Sequence, residues 1–159
     1  MPRHKTKALV RDVAPDRLYN SVQVSRIINR VMRDGKKQVA ERLVYTGMQK
    51  AAQKLKVDNP LEVFEKALAN IQPHMETRSR RVGGANYQIP FEVKGQRQQH
   101  LTTMWFVAAA RSRKGIGMAD RLAAELMEAY NNQGAAVKKR DDVHKMAEAN
   151  RAFAHFART

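Results

Sequence analysis

From Asn20 onward, apolar residues recur at the spacing of an amphipathic helix in every segment except one, the stretch 75–93. A chain patterned this way has to stack helices around a shared core and carry the exception as an insertion. The expected fold class is therefore mainly α, a single helical domain of about six helices with a protruding β-hairpin inserted between the third and fourth. A length of 159 residues, 43% of them apolar, suits one modest core rather than two. Residues 1–19 show no helical period and read as a basic N-terminal arm, disordered on its own; residues 20–156 read as the helical domain, with the hairpin at 75–93.

The first helix places Val24, Ile27, Ile28 and Val31 on one side and stops at Asp34-Gly35. At about 100° per residue, Arg26, Arg30 and Arg33 form a stripe nearly opposite, on the outward face. A second helix over 36–55 turns Val39, Ala40, Leu43, Val44, Met48, Ala51 and Leu55 inward. Asn59-Pro60 opens a third, because Asn59 can cap, Pro60 suits the first helical position and Glu62 completes a capping box. That helix carries Leu61, Phe64, Leu68 and Ile71 and ends before Pro73. Three more are expected over 96–113, 118–131 and 137–156, with Gly134 closing the fifth.

Between them, 75–82 and 85–93 are extended runs joined by Gly83-Gly84, and two glycines there favour a two-residue turn with positive φ. Such a turn sets Arg80 opposite Tyr87, Arg78 opposite Ile89 and Glu76 opposite Phe91, all on one face. Neither face is apolar enough for a sandwich and Pro90 lacks a ladder donor, so the ribbon is expected to project from the helices. Its arginines suit phosphates. Tyr87 can stack on a base, or else it packs on the helices.

Thirty Lys and Arg stand against fifteen Asp and Glu, a formal charge of +15. Such a chain repels itself unless a polyanion neutralises it, and nucleic acid is the expected one. The charge is uneven: residues 1–56 hold 14 basic and 4 acidic groups, whereas 57–75 hold Lys66 against Asp58, Glu62 and Glu65, so the third helix is expected to face away from the polyanion. Arg111, Arg113 and Lys114 end the fourth helix, where the helix dipole also favours cations. Lys138, Lys139 and Arg140 lie near a helix start, where the dipole disfavours them, and that points to an external anion.

Other function classes find little support. No apolar run approaches the roughly 20 residues of a membrane span, and the start lacks a signal-like apolar core, so a soluble, cytoplasmic chain without membrane partners is expected. The absence of cysteine excludes disulfides, thiolate catalysis and cysteine zinc sites. Gly115-Ile116-Gly117 lacks the third glycine and the Lys-Ser/Thr pair of a phosphate loop. His144 and Glu148 share a helix face with Asp141 nearby but have no closing ligand. No catalytic residue, metal, cofactor or small-molecule substrate is therefore expected. The rivals to RNA binding are an architectural DNA-binding protein and an RNA-modifying enzyme; the enzyme lacks a cofactor loop and a nucleophile.

The runs 29–37 (NRVMRDGKK), 79–93 (SRRVGGANYQIPFEV) and 138–155 (KKRDDVHKMAEANRAFAH), in this order and at these intervals, closely resemble the bacterial form of small-subunit ribosomal protein seven. The resemblance extends over about residues 15–155, and it departs at Thr77, at Phe91 and in the ending Phe156-Ala157-Arg158-Thr159. It implies six helices with a protruding hairpin and a primary binder of 16S rRNA. Such a protein nucleates folding of the 3′ major domain, the head, beside the exit-site tRNA and the mRNA path, with small-subunit ribosomal proteins nine and eleven as neighbours. Carried over residue by residue, the implied rRNA contacts are Arg3, Lys5, Lys7 and Arg11 of the arm, then Lys36, Lys37, Arg78, Arg80, Arg81, Arg97, Arg111 and Arg113. Arg26, Arg30 and Lys114 join them from the charge pattern. The implied tRNA and mRNA side comprises the tip Gly83-Gly84 with Tyr87, and Lys138, Lys139 and Arg140 of the last helix.

Overall fold

The computed structural model describes residues 12–157, so Arg3, Lys5, Lys7 and Arg11 lie outside the described residues. The elements run α1 (Val22–Val31), α2 (Lys37–Leu55), α3 (Pro60–Ile71), β1 (Met75–Val82), β2 (Ala85–Glu92), α4 (Gly95–Ser112), α5 (Met118–Tyr130) and α6 (Ala135–Ala149), followed by a 3-10 helix, Arg151–Ala157. The mainly helical architecture with one antiparallel hairpin between α3 and α4 is as expected.

Local chemistry sets several boundaries. The Asn59 side chain accepts from the Leu61 amide at 3.0 Å, with Pro60 behind it, and α3 starts there. Asp34 and Gly35, both with positive φ, turn the chain between α1 and α2. The core gathers around α5, which packs on α2, α3 and α4. Phe64, Phe106, Met48, Ile71, Leu122 and Leu126 are fully buried in it. Gly47 is what lets α2 meet α5 closely, since a Cβ there would lie 3.1 Å from both the Ala119 carbonyl and Leu122 Cβ.

Three expectations need correcting. Val39 is 54% exposed rather than inward: Ala40 takes the core position on this first turn of α2, and its neighbour points about 100° away. Helix α5 closes through Asn132, not Gly134. Asn132 takes the left-handed conformation while its own amide and that of Gln133 donate to the carbonyls of Ala129 (3.0 Å) and Glu128 (2.8 Å), the paired bonds of a Schellman motif. Gly134 then opens α6. The last helix also stops early, because the Asn150 side chain donates to the Met146 carbonyl at 2.8 Å and the chain tightens into the 3-10 helix.

The hairpin has the expected register, pairing Arg80 with Tyr87, Arg78 with Ile89 and Glu76 with Phe91. Gly83 and Gly84 turn with φ of 56° and 91°. Its tip, from Gly83 to Asn86, is exposed, while its root is docked: Ile89 and Pro90 are buried, and Thr77 Oγ1 donates to Met146 Sδ at 3.2 Å. Order also begins before Asn20. Asp16, buried, accepts from the amides of Leu18 (3.0 Å), Tyr19 (2.8 Å) and Ser21 (2.8 Å) and from the Tyr45 hydroxyl of α2. Burial raises its pKa, but these donors outweigh that and hold the carboxyl below its ordinary value.

Candidate nucleic-acid interface

A cation can bind an external phosphate only with donors the fold has not already used. By that criterion the sequence-predicted cations fall into three groups.

The first group serves the fold. Arg113 donates to Glu125 at 2.7 Å and to Glu128 at 2.5 Å, with only a quarter of its side chain exposed. The bond to Glu128, then those to Glu125, raise its pKa despite burial. Glu125 has no exposed surface and also accepts from the Ala136 amide at 2.9 Å, so α4, α5 and α6 meet on one carboxylate. Arg140 lies between Asp141 at 2.6 Å and the carbonyl of Asn70 on α3, with its side chain 17% exposed. The unfavourable helix-start position of Arg140 is therefore answered inside the protein, where an external anion had been expected.

The second group bonds internally and still faces solvent. Glu76 at the ribbon root accepts from Arg97 at 3.0 Å and from Arg78, whose side chains are 50% and 55% exposed. Burial pushes the Glu76 carboxyl up, and the two guanidinium groups more than reverse that. Arg111 donates to the Arg30 carbonyl at 3.0 Å and so caps the end of α1. Arg30 bonds His100 Nδ1 at 3.1 Å, and burial, Arg30 and Arg97 together lower the His100 pKa, so the ring accepts as a neutral group. Arg80 donates to the Phe156 carbonyl at 3.0 Å.

The third group, Lys36, Lys37, Arg81, Lys114, Lys138 and Lys139, is exposed, and Arg26 is half-buried. None of these seven side chains bonds to another described residue. They stand at the α1–α2 turn, the ribbon tip, the end of α4, the start of α6 and, for Arg26, the side of α1 that faces α3 and α4. Tyr87 is differently placed. Its ring lies 5.0 Å from that of Phe153 and 5.8 Å from that of Phe156, so of the two readings of this side chain, packing is the one realised.

Sequence reasoning missed Glu125, Glu76 and His100. A signal for Glu125 was available: it occupies a core position of α5, three residues after Leu122 and one before Leu126, where a carboxylate requires a partner. His144 accepts from the His74 amide at 3.1 Å, and among the described residues no group of three His, Asp or Glu is placed to hold a metal. No described helix is long and apolar enough to cross a membrane.

The described residues form a helical body with a docked ribbon and carry unpaired cations at several separate edges. The chain belongs to the ribosomal protein S7p/S5e family, whose model matches residues 3–151. A small ribosomal subunit protein uS7 from Thermosipho africanus is 54% identical over 152 residues, covering 96% of this chain and 97% of that protein. Proteins of the same name from Nitratidesulfovibrio vulgaris (52% identical over 156 residues; 98% and 99% covered) and Lactococcus lactis (56% over 152; 96% and 97%) are similar throughout.

Proposed function

We propose that this chain is a structural, non-catalytic constituent of the small ribosomal subunit in the cytoplasm and binds 16S rRNA there directly. Family membership over nearly the whole length supports this reading, and the observation that carries it is the set of unspent cations at the α1–α2 turn, the α4 end and the ribbon tip. Residues 1–19 act as a basic arm on the RNA and residues 20–156 as the binding domain. Binding nucleates the fold of the 3′ major domain, the head. The ribbon tip, Lys138 and Lys139 lie toward the exit-site tRNA and the mRNA path, and small-subunit ribosomal proteins nine and eleven are neighbours. No cofactor enters this role.

Footprinting on naked 16S rRNA tests the reading: protections should cluster in the 3′ major domain without any other protein present. Six or more neutralised phosphates should make log affinity fall with log salt at a slope of about −4 or steeper. Dispersed protections with a slope near zero would sink it. The tRNA-side assignment has its own test, replacing residues 80–87 by a two-residue turn. Subunits should still assemble and sediment normally while exit-site tRNA retention changes; unchanged retention refutes the assignment.

A further inference from the structure

A groove runs between α1 and α4, with α3 forming a third wall at one end. At that end it is a cavity of about 250 Å³ bounded by Gln23, Gln72 and Gln99, with Glu65 also on its wall. It continues into a wider space of about 540 Å³ alongside Arg30 and His100. Arg26, Gln99 and Thr103 line both parts.

The amides are the groups open to a ligand. Gln72 and Gln99 are half-buried, yet neither side chain bonds to another described residue, whereas the adjacent Gln98 donates to the Pro73 carbonyl at 2.9 Å. Thr102 and Thr103 turn their hydroxyl protons onto backbone carbonyls of their own helix. Among the described residues no buried side-chain nitrogen or oxygen lacks a partner, so both amides reach solvent and are free to meet a polar ligand that enters the groove. The groove therefore offers amide donors and acceptors at one end and Arg30 at the other, where the Asp12 carboxylate is also on the wall, with Arg26 reaching both. His100 braces Arg30 through its neutral ring.

That gradient matches one nucleotide. Amide side chains read base edges through paired hydrogen bonds, a carboxylate accepts from an exocyclic amine, and arginines take the phosphate. Proteins that read RNA sequence do so mainly on unpaired bases, whose edges are free. We propose that this groove reads the edge of one unpaired, amine-bearing base of the bound RNA. Gln72, Gln99 and Glu65 meet the base, which brings one edge of α3 to the RNA where its acidic charge predicts that it faces away, and Arg26 and Arg30 meet the adjoining phosphates. The inference rests on the rRNA-binding reading above and adds base recognition to it.

The test uses the full chain, a transcript of the 16S rRNA 3′ major domain, and short oligomers of A, C and U as competitors. Gln99→Leu and Gln72→Leu keep side-chain bulk and remove hydrogen bonding, so thermal stability should hold while transcript affinity falls about 10-fold for each. Their salt slope should match that of the unaltered chain, whereas Arg26→Ala should flatten the slope by about 0.7 to 0.9. Oligo(A) and oligo(C) should compete better than oligo(U), and Glu65→Leu together with Gln99→Leu should erase that preference. Unchanged affinity in both glutamine variants, equal competition by oligo(U), or a drop in melting temperature in place of a drop in affinity would overturn base reading while leaving rRNA binding intact. Failure of the unaltered chain to bind the transcript would bring down both.

Discussion

The body and the ribbon are each held by a buried carboxylate, Glu125 between one cation and a backbone amide and Glu76 between two cations, and the two joints differ in how much water reaches them. Glu125 has no exposed surface, and its partners, Arg113 just past the end of α4 and the Ala136 amide of α6, flank helices packed on the main core. Glu76 is nearly as short of solvent, with 8% of its side chain exposed, but Arg78 and Arg97 are half-exposed, and Ile89 beside them in the ribbon is buried outside the main apolar cluster. The same ion chemistry therefore does two things. At Glu125 it locks three helices into one cooperative unit, whereas at Glu76 it fastens an appendage that can loosen while the body stays folded.

Breaking the body joint should have the largest effect. Glu125→Ala leaves the Ala136 amide unsatisfied and Arg113 with Glu128 alone, which should cost about 3 kcal/mol in denaturant unfolding, with helices and ribbon melting together. A loss under about 1 kcal/mol would mean that the two joints are alike. Next, Ile89→Ala removes a buried side chain from the ribbon and should cost about 2 kcal/mol locally. Hydrogen exchange should speed up at β1 and β2 and stay slow in α2 and α5; acceleration everywhere would merge the ribbon with the body.

A pH titration sharpens the contrast further. The Glu76 carboxyl is held below its ordinary value, so the stability it contributes is complete above the unfolded-state pKa and is lost as pH falls through the folded one. Ribbon amide resonances should shift in acid before the core resonances do, and Glu76→Gln should abolish that early step. The smallest effect on stability belongs to the exposed pair Lys36→Glu and Lys37→Glu, within about 0.5 kcal/mol by thermal melting. On the proposed reading, rRNA affinity should nevertheless drop steeply, and retained affinity would remove the α1–α2 turn from the interface.

Much of this was legible residue by residue. The stripe Val24, Ile27, Ile28 and Val31, the Asn59-Pro60 start and the Gly83-Gly84 register all follow from contacts within a few positions of each residue, which is the range that periodicity and turn chemistry report. The early stop at Asn150 was less legible, because an Asn within a helical pattern stops the helix only if its side chain turns back onto the backbone. That stop sets Phe153 and Phe156 over Tyr87, so a ring that could have stacked on a base was packed instead.

The order of apolar and charged residues thus determined the kind of elements, their sequence along the chain, the hairpin pairing and the net charge. Only the tertiary structure decided which cations were left for a partner. Arg113 meets Glu125 across 12 positions, Arg97 meets Glu76 across 21, and Arg140 meets the Asn70 carbonyl across 70. A side chain's charge is written in the sequence, but whether that charge is already neutralised depends on what folding brings within about 3 Å of it.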